Sequence, residues 1–261
     1  MKRIINYSFV VLLSVLAFTS CDTDKYEYTA QSNPDLSGFF LYKVNSSYTV
    51  NFDDDQVFYF YVKRNDSTAA ATATLVTTVD ADNGTFNVPS SVSFAAGQGT
   101  ALVPVTFSMD PGNATLNIEI AEDQKYGWGQ TGATISIIRN GKELAGTFVS
   151  EFYGEQWNVT VYYMGNSTYK IADCYESGRD ISIVKNEDNT VTVSSQYAWT
   201  HSSYGGVYVI DYDSYQESEP GNSVFDAEDL SFTMYLVHYV PGVGAFGAFK
   251  EVLYLDEDVE E

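Results

Sequence analysis

Two histidines are the side chains in this sequence that most directly suggest metal or triad chemistry. His201 and His238 are the only histidines, and they share no local spacing of the kind that zinc sites use. His238 lies in the apolar run Tyr235–Tyr239, which favours a structural role within a strand. We therefore predict no zinc site and no catalytic triad.

A run of three carboxylates offers a weaker case for a metal. Asp53, Asp54 and Asp55 are adjacent, and Ca²⁺ is a hard cation that prefers oxygen ligands. The alternative is a solvated hairpin turn before the strand that starts at Val57. We predict the turn and keep calcium as a hypothesis for these three residues.

Exposed aromatic side chains suggest sugar binding, because sugar rings stack on the faces of Trp and Tyr. Trp199 and Tyr204 belong to the stretch from Gln196 to Gly206, whose composition suggests a loop, and Trp128 stands between two glycines. Most aromatic residues of a β-protein pack in its core instead. These three residues are the candidate ligand contacts.

Motifs for catalysis or cofactor binding are absent from the sequence. It has no Gly-x-Ser-x-Gly elbow, and Gly242, Gly244 and Gly247 form a glycine–phenylalanine loop without a helix to follow it. We predict no cofactor and no catalytic residue. Paired carboxylates of a glycan-active enzyme stay an alternative, because 35 acidic residues offer many pairs.

Composition and charge narrow the class of protein. Hydrophobic residues make up 44% and charged residues 18%, which is typical of a folded chain. The 21 tyrosines and 16 phenylalanines favour strands. The net charge of −22 would be repelled by phosphate backbones, so nucleic acid is not expected as a partner.

The first residues have the pattern of a secretory signal. Lys2 and Arg3 precede an apolar run from Ser8 to Phe18, which is too short to span a bilayer as a helix. Thr19-Ser20-Cys21 follows and resembles the lipobox of bacterial lipoproteins, with Phe18 in place of the usual leucine. This resemblance implies that residues 1–20 are a signal peptide and that Cys21 carries the lipid.

The residues after Cys21 suggest how the protein is held at the membrane. Residues 21–37 are polar and are predicted to form a lipidated tether. The acidic residues Asp22 and Asp24 resemble the surface-export signal of Bacteroidota lipoproteins. The resemblance implies an outer-membrane protein anchored through its lipid, exposed on the cell surface, with a periplasm-facing position as second choice.

Residues 38–139 are predicted to form a β-sandwich. Thr115–Ile120 alternates polar and apolar residues, and Gln56–Val62 fits a central strand. Pro104 predicts that its strand is an edge or that its nitrogen faces away from the neighbouring strand. These strands, with Phe86–Phe94 and the turn after it, resemble the Calx-β-like, immunoglobulin-like sandwich domains of Bacteroidota lipoproteins. We cannot locate the calcium motifs of that family, so calcium is not carried over from the resemblance.

Residues 146–255 are predicted to form a second antiparallel β-domain, either a small barrel or a sandwich. The polar segment Arg139–Gly146 is the predicted boundary, and the turn at Asn186–Asn189 predicts a hairpin. This half resembles the C-terminal region of similar lipoproteins, for which no activity is implied. Residues 256–261 are predicted to be a disordered acidic tail.

Two further residues have predicted roles. Asp66-Ser67-Thr68 resembles the O-glycosylation motif of Bacteroidota envelope proteins, so Ser67 is a candidate for modification. Cys174 is predicted to be a buried, unreactive thiol.

We therefore predict a lipid-anchored cell-envelope protein that acts as a non-catalytic binding or structural module, for glycans or for other envelope proteins. One alternative is a glycan-active enzyme on the second domain. The other is an adhesive, fimbria-like surface subunit, which would display an exposed strand edge.

Overall fold

A computed structural model describes residues 38–81, 84–215 and 223–259, and these are almost entirely β-strand. The all-β prediction is therefore confirmed. Helical geometry within the described ranges is limited to single turns at Glu122–Gln124 and Tyr212–Tyr215. No described helix has the length and apolar character needed to cross a membrane. The predicted signal peptide, Cys21 and the tether lie outside the described residues.

The first half of the chain is a sandwich of two sheets. One sheet has the strand order β1-β3-β7-β5 and the other has the order β2-β9-β8-β4-β6, with β2 parallel to β9. The strands are β1 (Phe39–Tyr42), β2 (Ser47–Val50), β3 (Val57–Arg64), β4 (Ala71–Ala81), β5 (Thr85–Asn87), β6 (Ser91–Phe94), β7 (Thr100–Ser108), β8 (Gly112–Ile120) and β9 (Gly132–Arg139).

Period-two alternation builds the core of this sandwich. Every second residue of β7 is buried, and β3 contributes Phe60 and Val62, which have no exposed surface. Pro104 of β7 lies opposite Tyr59 of β3, whereas β5 pairs only with residues 106–108. The other side of Pro104 is thus free of ladder bonds, as a residue without an N–H requires.

The second half is one ten-stranded sheet with the path β14-β13-β12-β11-β10-β19-β18-β16-β15, and β17 pairs with β18. Its strands are β10 (Lys142–Ser150), β11 (Glu155–Tyr163), β12 (Thr168–Glu176), β13 (Arg179–Lys185), β14 (Val191–Thr192), β15 (Gln196–His201), β16 (Gly205–Asp211), β17 (Val224–Asp226), β18 (Ser231–Val240) and β19 (Gly244–Leu255).

This sheet curls until β15 meets β12 and β13. The side-chain amide of Gln196 accepts a bond from Ser182 N and donates one to Ser182 O, both at 2.8 Å, so it joins β15 to β13. The enclosed core includes Phe148, Ile171 and Phe232. Of the two alternatives for this half, a small barrel is observed, and the hairpin predicted at Asn186–Asn189 joins β13 to β14.

The link between the two halves lies within the predicted boundary segment, since β9 ends at Arg139 and β10 begins at Lys142, whereas the predicted tail is partly ordered. Most of the segment predicted as a polar break belongs to β10, which begins at Lys142 because Leu144 is buried in the second core. At the other end, Asp256 N donates to Ala145 O, and Val259 is buried in the same core. The burial of Val259, an apolar residue that follows three acidic ones, thus orders residues 256–259.

The sandwich contacts the barrel at the turn between β11 and β12. The rings of Phe52 and Tyr163 lie 5.5 Å apart, and Arg139 Nη2 donates to Phe52 O. Residue 155, where β11 begins, is therefore at the other end of the barrel, about 26 Å away at about 3.3 Å per residue. Within the sandwich, Phe39 pairs with the end of β3 that is remote from the barrel. The first described residues therefore lie at one end of the molecule, and the end of the barrel near residue 155 lies at the opposite end.

Candidate functional site

The end of the barrel remote from the sandwich is filled by aromatic rings, which we call the aromatic mouth. Trp199 is central to it, with ring centroids 5.6 to 6.1 Å from those of four neighbours. Contacts among the rings, at 4.2 to 6.5 Å, join them into one cluster. The mouth consists of Phe152, Tyr153, Trp157, Tyr175, Trp199, His201, Tyr204, Phe246 and Phe249.

Two β-bulges position rings in the mouth. The register of β15 against β16 skips Ala198, and the register of β19 against β18 skips Phe246. An extra residue shifts the alternation of a strand by one and so re-aims the side chains on one side of it. Trp199 and Phe246 consequently face the same enclosed space as Phe152.

A hydrogen bond fixes the orientation of Trp199. Its Nε1–H donates to Nδ1 of His238 at 3.2 Å. Since Nδ1 is the acceptor, the neutral imidazole carries its proton on Nε2. Trp199 is half-buried, so one edge is bonded to the barrel interior while part of its surface faces the mouth.

The rim of the mouth exposes large apolar surfaces to solvent. Tyr153, Tyr204 and Phe246 are 42%, 55% and 37% exposed, and ring contacts through Trp199 link them into one group. Tyr204 stacks on His201 with ring centroids 4.7 Å apart. His201 Nδ1 in turn accepts bonds from the amides of Ser203 and Tyr204, so the backbone holds this stack in place.

Beneath the rings lies a buried polar group. His238 and Glu251 are both fully buried, and His238 Nε2 lies 3.7 Å from Glu251 Oε1. The same oxygen accepts a bond from Ser150 Oγ at 3.2 Å. Among the described residues, Tyr175 Oη, His238 Nε2 and Glu251 Oε2 have no hydrogen-bond partner. Unpaired buried polar atoms are costly and therefore call for an explanation.

Burial favours the protonated forms of two neighbouring groups, the Tyr175 hydroxyl and the Cys174 thiol. It raises the pKa of the Tyr175 hydroxyl well above its usual range, and Cys174 and Glu251 add to the shift. The pKa of the Cys174 thiol is likewise raised, first by burial and then by Glu251. Cys174 is therefore a protonated thiol, which is a poor nucleophile.

The contacts in this group suit binding better than nucleophilic catalysis. The Ser150 hydroxyl is bonded to the Glu251 carboxyl, and the basic nitrogen of His238 is occupied by Trp199. A serine nucleophile would need the imidazole as its own partner. Flat exposed rings over a polar floor can instead stack on a sugar ring and orient its hydroxyl groups.

Of the three predicted ligand contacts, the structure brings two together. Trp199 and Tyr204 both contact Phe246 in the mouth. Trp199 lies in β15 rather than in the predicted loop, because its alternation continues a strand that closes the barrel. Trp128 is 75% exposed, but it lies on the sandwich and takes no part in the mouth.

The three aspartates do not form a metal site. The Asp54 carboxylate accepts bonds from the backbone and side-chain amides of Asn51, so it closes the turn. Across the ranges that the structure describes, no group of three His, Cys, Asp or Glu residues could hold a metal ion. The calcium hypothesis for Asp53, Asp54 and Asp55 is thus replaced by the hairpin turn that was its alternative.

The predicted modification site also lies in a turn. The Asp66 carboxylate accepts bonds from the backbone N and the hydroxyl of Thr68. These bonds lower the pKa of Asp66. Ser67 is partly exposed between them, and its modification stays a prediction.

Sequence reasoning missed Phe152, Tyr153 and Glu251. Residues 151–154 form the tip of the β10–β11 hairpin, a place where turn residues usually carry no packing role. Glu251 had a usable signal, because Phe249, Glu251 and Leu253 alternate on the inward face of β19. An acid at an inward position of a strand is a candidate for function.

A cleft of about 720 Å³ also separates the two halves of the chain. It is lined by residues of both halves, among them Asp110, Arg139, Asn166 and Lys185. Its most prominent cation, Arg139, is already held by the backbone carbonyls of Phe52 and Met109. We therefore assign the cleft to the contact between the halves rather than to a ligand.

No protein-family model matches the chain, and no curated protein matches it. Among solved structures, the secreted serine protease VesC from Vibrio cholerae is similar over 85% of this chain and 47% of that one. The identity is 12% and the TM-score is 0.28. The present chain thus spans about half the length of that protease, and a likeness this distant carries no conclusion about function.

Proposed function

We propose that this chain is a lipid-anchored cell-envelope protein that binds neutral glycans, without catalysis, at the aromatic mouth of its barrel. The observation that carries the proposal is the exposed ring surface around Trp199, which is aimed by two bulges and held by His238. Exposed rings lose the stabilisation that burial would give them. An end of the barrel with only a structural role would not need to expose them.

The electrostatics favour a neutral ligand. The chain has a net charge of −22, and Glu176 and Glu251 both act on Tyr153 at the mouth. An anionic glycan would be repelled by these charges. Rings of Trp and Tyr stack on the C–H faces of uncharged sugars without needing charge.

The position of the mouth suits a tethered protein. Phe39 marks the end of the sandwich remote from the barrel, and the mouth lies at the end of the barrel remote from the sandwich. A lipid on Cys21, joined to the sandwich through residues 21–37, would thus be attached to the end of the described chain that is remote from the mouth. This arrangement supports presentation of the mouth to ligands in the surrounding medium.

The test is binding of the mature chain to an array of neutral glycans. We expect Trp199→Ala to reduce binding at least about tenfold, because a central stacking residue usually dominates an interface. Trp128→Ala is the matched control, since it removes an exposed tryptophan from the sandwich, and it should leave binding unchanged. Equal binding by the wild type and by Trp199→Ala would reject the proposal.

The anchor has its own test. Cys21→Ala should move the protein from the membrane fraction to the aqueous fraction, because one sulfur is proposed to hold the acyl chains. Cys174→Ala is the control, since this thiol is buried in the barrel. Membrane partitioning that survives Cys21→Ala would remove the lipid anchor from the proposal.

A further inference from the structure

The polar floor of the mouth is covered by one ring of the chain itself. Phe152 stacks on His238 with centroids 4.2 Å apart and planes inclined by 9°. Its ring also lies 5.0 Å from Phe249 and 5.6 Å from Trp199. Phe152 therefore covers one face of the His238 imidazole, and a ligand would have to displace this ring to approach His238 from that side.

The segment that carries this ring is a hairpin tip, residues 151–154, in which Gly154 adopts a φ of 68°. Each of its four backbone N–H groups donates a hydrogen bond: Glu151 N to Lys250 O, Phe152 N to Glu251 Oε1, Tyr153 N to Ser150 Oγ and Gly154 N to Ser150 O. The bond from Phe152 N, at 3.4 Å, is the longest of the four and therefore the weakest. The backbone of the tip is thus held in place, and uncovering His238 requires rotation of the Phe152 side chain.

The unpaired polar atoms of His238 and of its neighbours Tyr175 and Glu251 match a hydroxylated ligand. His238 Nε2 donates, Glu251 Oε2 accepts, and Tyr175 Oη does both, and all three lack partners in the described chain. Neighbouring hydroxyl groups of a sugar each donate and accept, so two of them satisfy this set. A cation would be disfavoured by the Nε2–H donor of His238, and an anion would be disfavoured by the Glu251 carboxyl oxygens.

We propose that Tyr175, His238 and Glu251 form an inner subsite for two adjacent hydroxyl groups of a neutral sugar ring. In the unliganded protein Phe152 covers the approach to these groups, and its side chain rotates away when the sugar enters. This inference rests on the proposed glycan function and deepens it. Trp199 forms one wall of the inner subsite, while Tyr204 belongs to the outer rim.

The experiment titrates glucose, galactose, mannose and N-acetylglucosamine into the mature chain and measures binding by calorimetry. Removing the plug with Phe152→Ala should tighten binding of at least one of these sugars about tenfold, because the wild type is competent only when the ring is displaced. Phe40→Ala, a partly exposed phenylalanine of the sandwich, is the matched control and should change nothing.

The double variant Phe152→Ala/Tyr175→Phe isolates the polar contact. Tyr175→Phe deletes only a hydroxyl that has no partner in the described chain, so the fold should be retained, which near-UV circular dichroism checks. We expect it to abolish most of the gain from Phe152→Ala.

The outcomes separate the two proposals. If array binding depends on Trp199 but Phe152→Ala binds the sugars no more tightly, the inner subsite is wrong and the mouth stands. If the gain persists in the double variant, Tyr175 is not part of the site and the inference fails. If no glycan binds either protein, the glycan function itself falls.

Discussion

The two halves of this chain are both built from alternating strands, yet their interiors differ. The sandwich buries an apolar core, and its one buried charge, among the described residues, is Arg64, whose guanidinium donates to the carbonyls of Gln98 and Ala95. The barrel buries His238 and Glu251 beside an unbonded Tyr175 hydroxyl. In the part of the sandwich that the structure describes, both buried or partly buried guanidinium groups are bonded to backbone carbonyls, and the atom left open is Arg139 Nε, whereas the barrel leaves three polar atoms open around His238.

This contrast assigns different tasks to the halves. An unpaired buried polar atom costs about 1–3 kcal/mol, so a fold optimised only for stability would replace it. The barrel keeps three such atoms, and they lie together under the aromatic mouth. We infer that the sandwich serves as a support and that the barrel retains a costly interior for binding.

The largest expected effect is the loss of a core ring from the sandwich. Phe60→Ala should lower the free energy of unfolding of that half by about 3–5 kcal/mol, because the side chain is fully buried. The barrel should retain its own stability, since the two cores share no buried residue. Urea unfolding followed by hydrogen exchange measures both, and equal destabilisation of the barrel would show that the halves are not independent.

The next effect is a pH dependence that belongs to the barrel. Burial raises the pKa of Asp211 to about 6, although bonds from Val193 N and Ser223 Oγ oppose the shift. A folded-state pKa above the unfolded value of about 3.9 means that the fold binds the proton more tightly. The stability from this group is therefore fully present below about pH 4 and is lost as the pH rises to about 6.

Asp211→Asn tests the direction of this pH dependence of stability. The asparagine can accept from Val193 N and donate to Ser223 Oγ, so it keeps the contacts without the charge. Above pH 6 the variant should be more stable than the wild type by up to about 2–3 kcal/mol, and below pH 4 the difference should vanish. Urea unfolding across this pH range gives the difference, and a constant difference would refute the buried charge as its cause.

Two substitutions of opposite expected sign test the contrast between satisfied and open polar groups. Tyr175→Phe should raise the free energy of unfolding by about 1 kcal/mol, because it removes a hydroxyl without a partner among the described residues. Arg64→Met should lower it by about 1–2 kcal/mol, since two carbonyls lose their donor. Thermal unfolding of both variants measures this, and a destabilising Tyr175→Phe would mean that the hydroxyl is bonded.

The alternation of apolar residues was sufficient to predict the strands and the all-β class. Thr115–Ile120 and the turn at Asn186–Asn189 are local patterns, and local patterns determine which face of a strand is buried. Pro104 indicated that its nitrogen faces away from a neighbouring strand, and β5 pairs with β7 only at residues 106–108. The closure of the barrel depends on β15 meeting β13, which are contacts between strands that no local pattern encodes.

The mouth was predicted only in part for the same reason. Trp199 and Tyr204 were identified from their type, but the bulges at Ala198 and Phe246 arise from strand pairing and leave no mark in the sequence. Trp128 stands between two glycines, a context that suggested an exposed binding residue, yet it belongs to the sandwich. Residue type therefore suggested candidates, and only long-range pairing could select among them.

The smallest expected effect is that of Trp128→Ala. Because this side chain is 75% exposed on the sandwich, its removal should change the free energy of unfolding by less than about 0.5 kcal/mol. Trp199→Ala should cost more, since its ring contacts four others in the mouth. Chemical unfolding compares the two, and equal small effects would show that the mouth is loosely packed.

The central claim is that ligand recognition belongs to the barrel mouth and not to the sandwich. Hydrogen exchange of the mature chain, with and without a glycan selected from the array, tests this directly. We expect slower exchange at residues 199–204 and 244–249 and no change across residues 38–139. Protection confined to the sandwich, or to the cleft between the halves, would contradict the account.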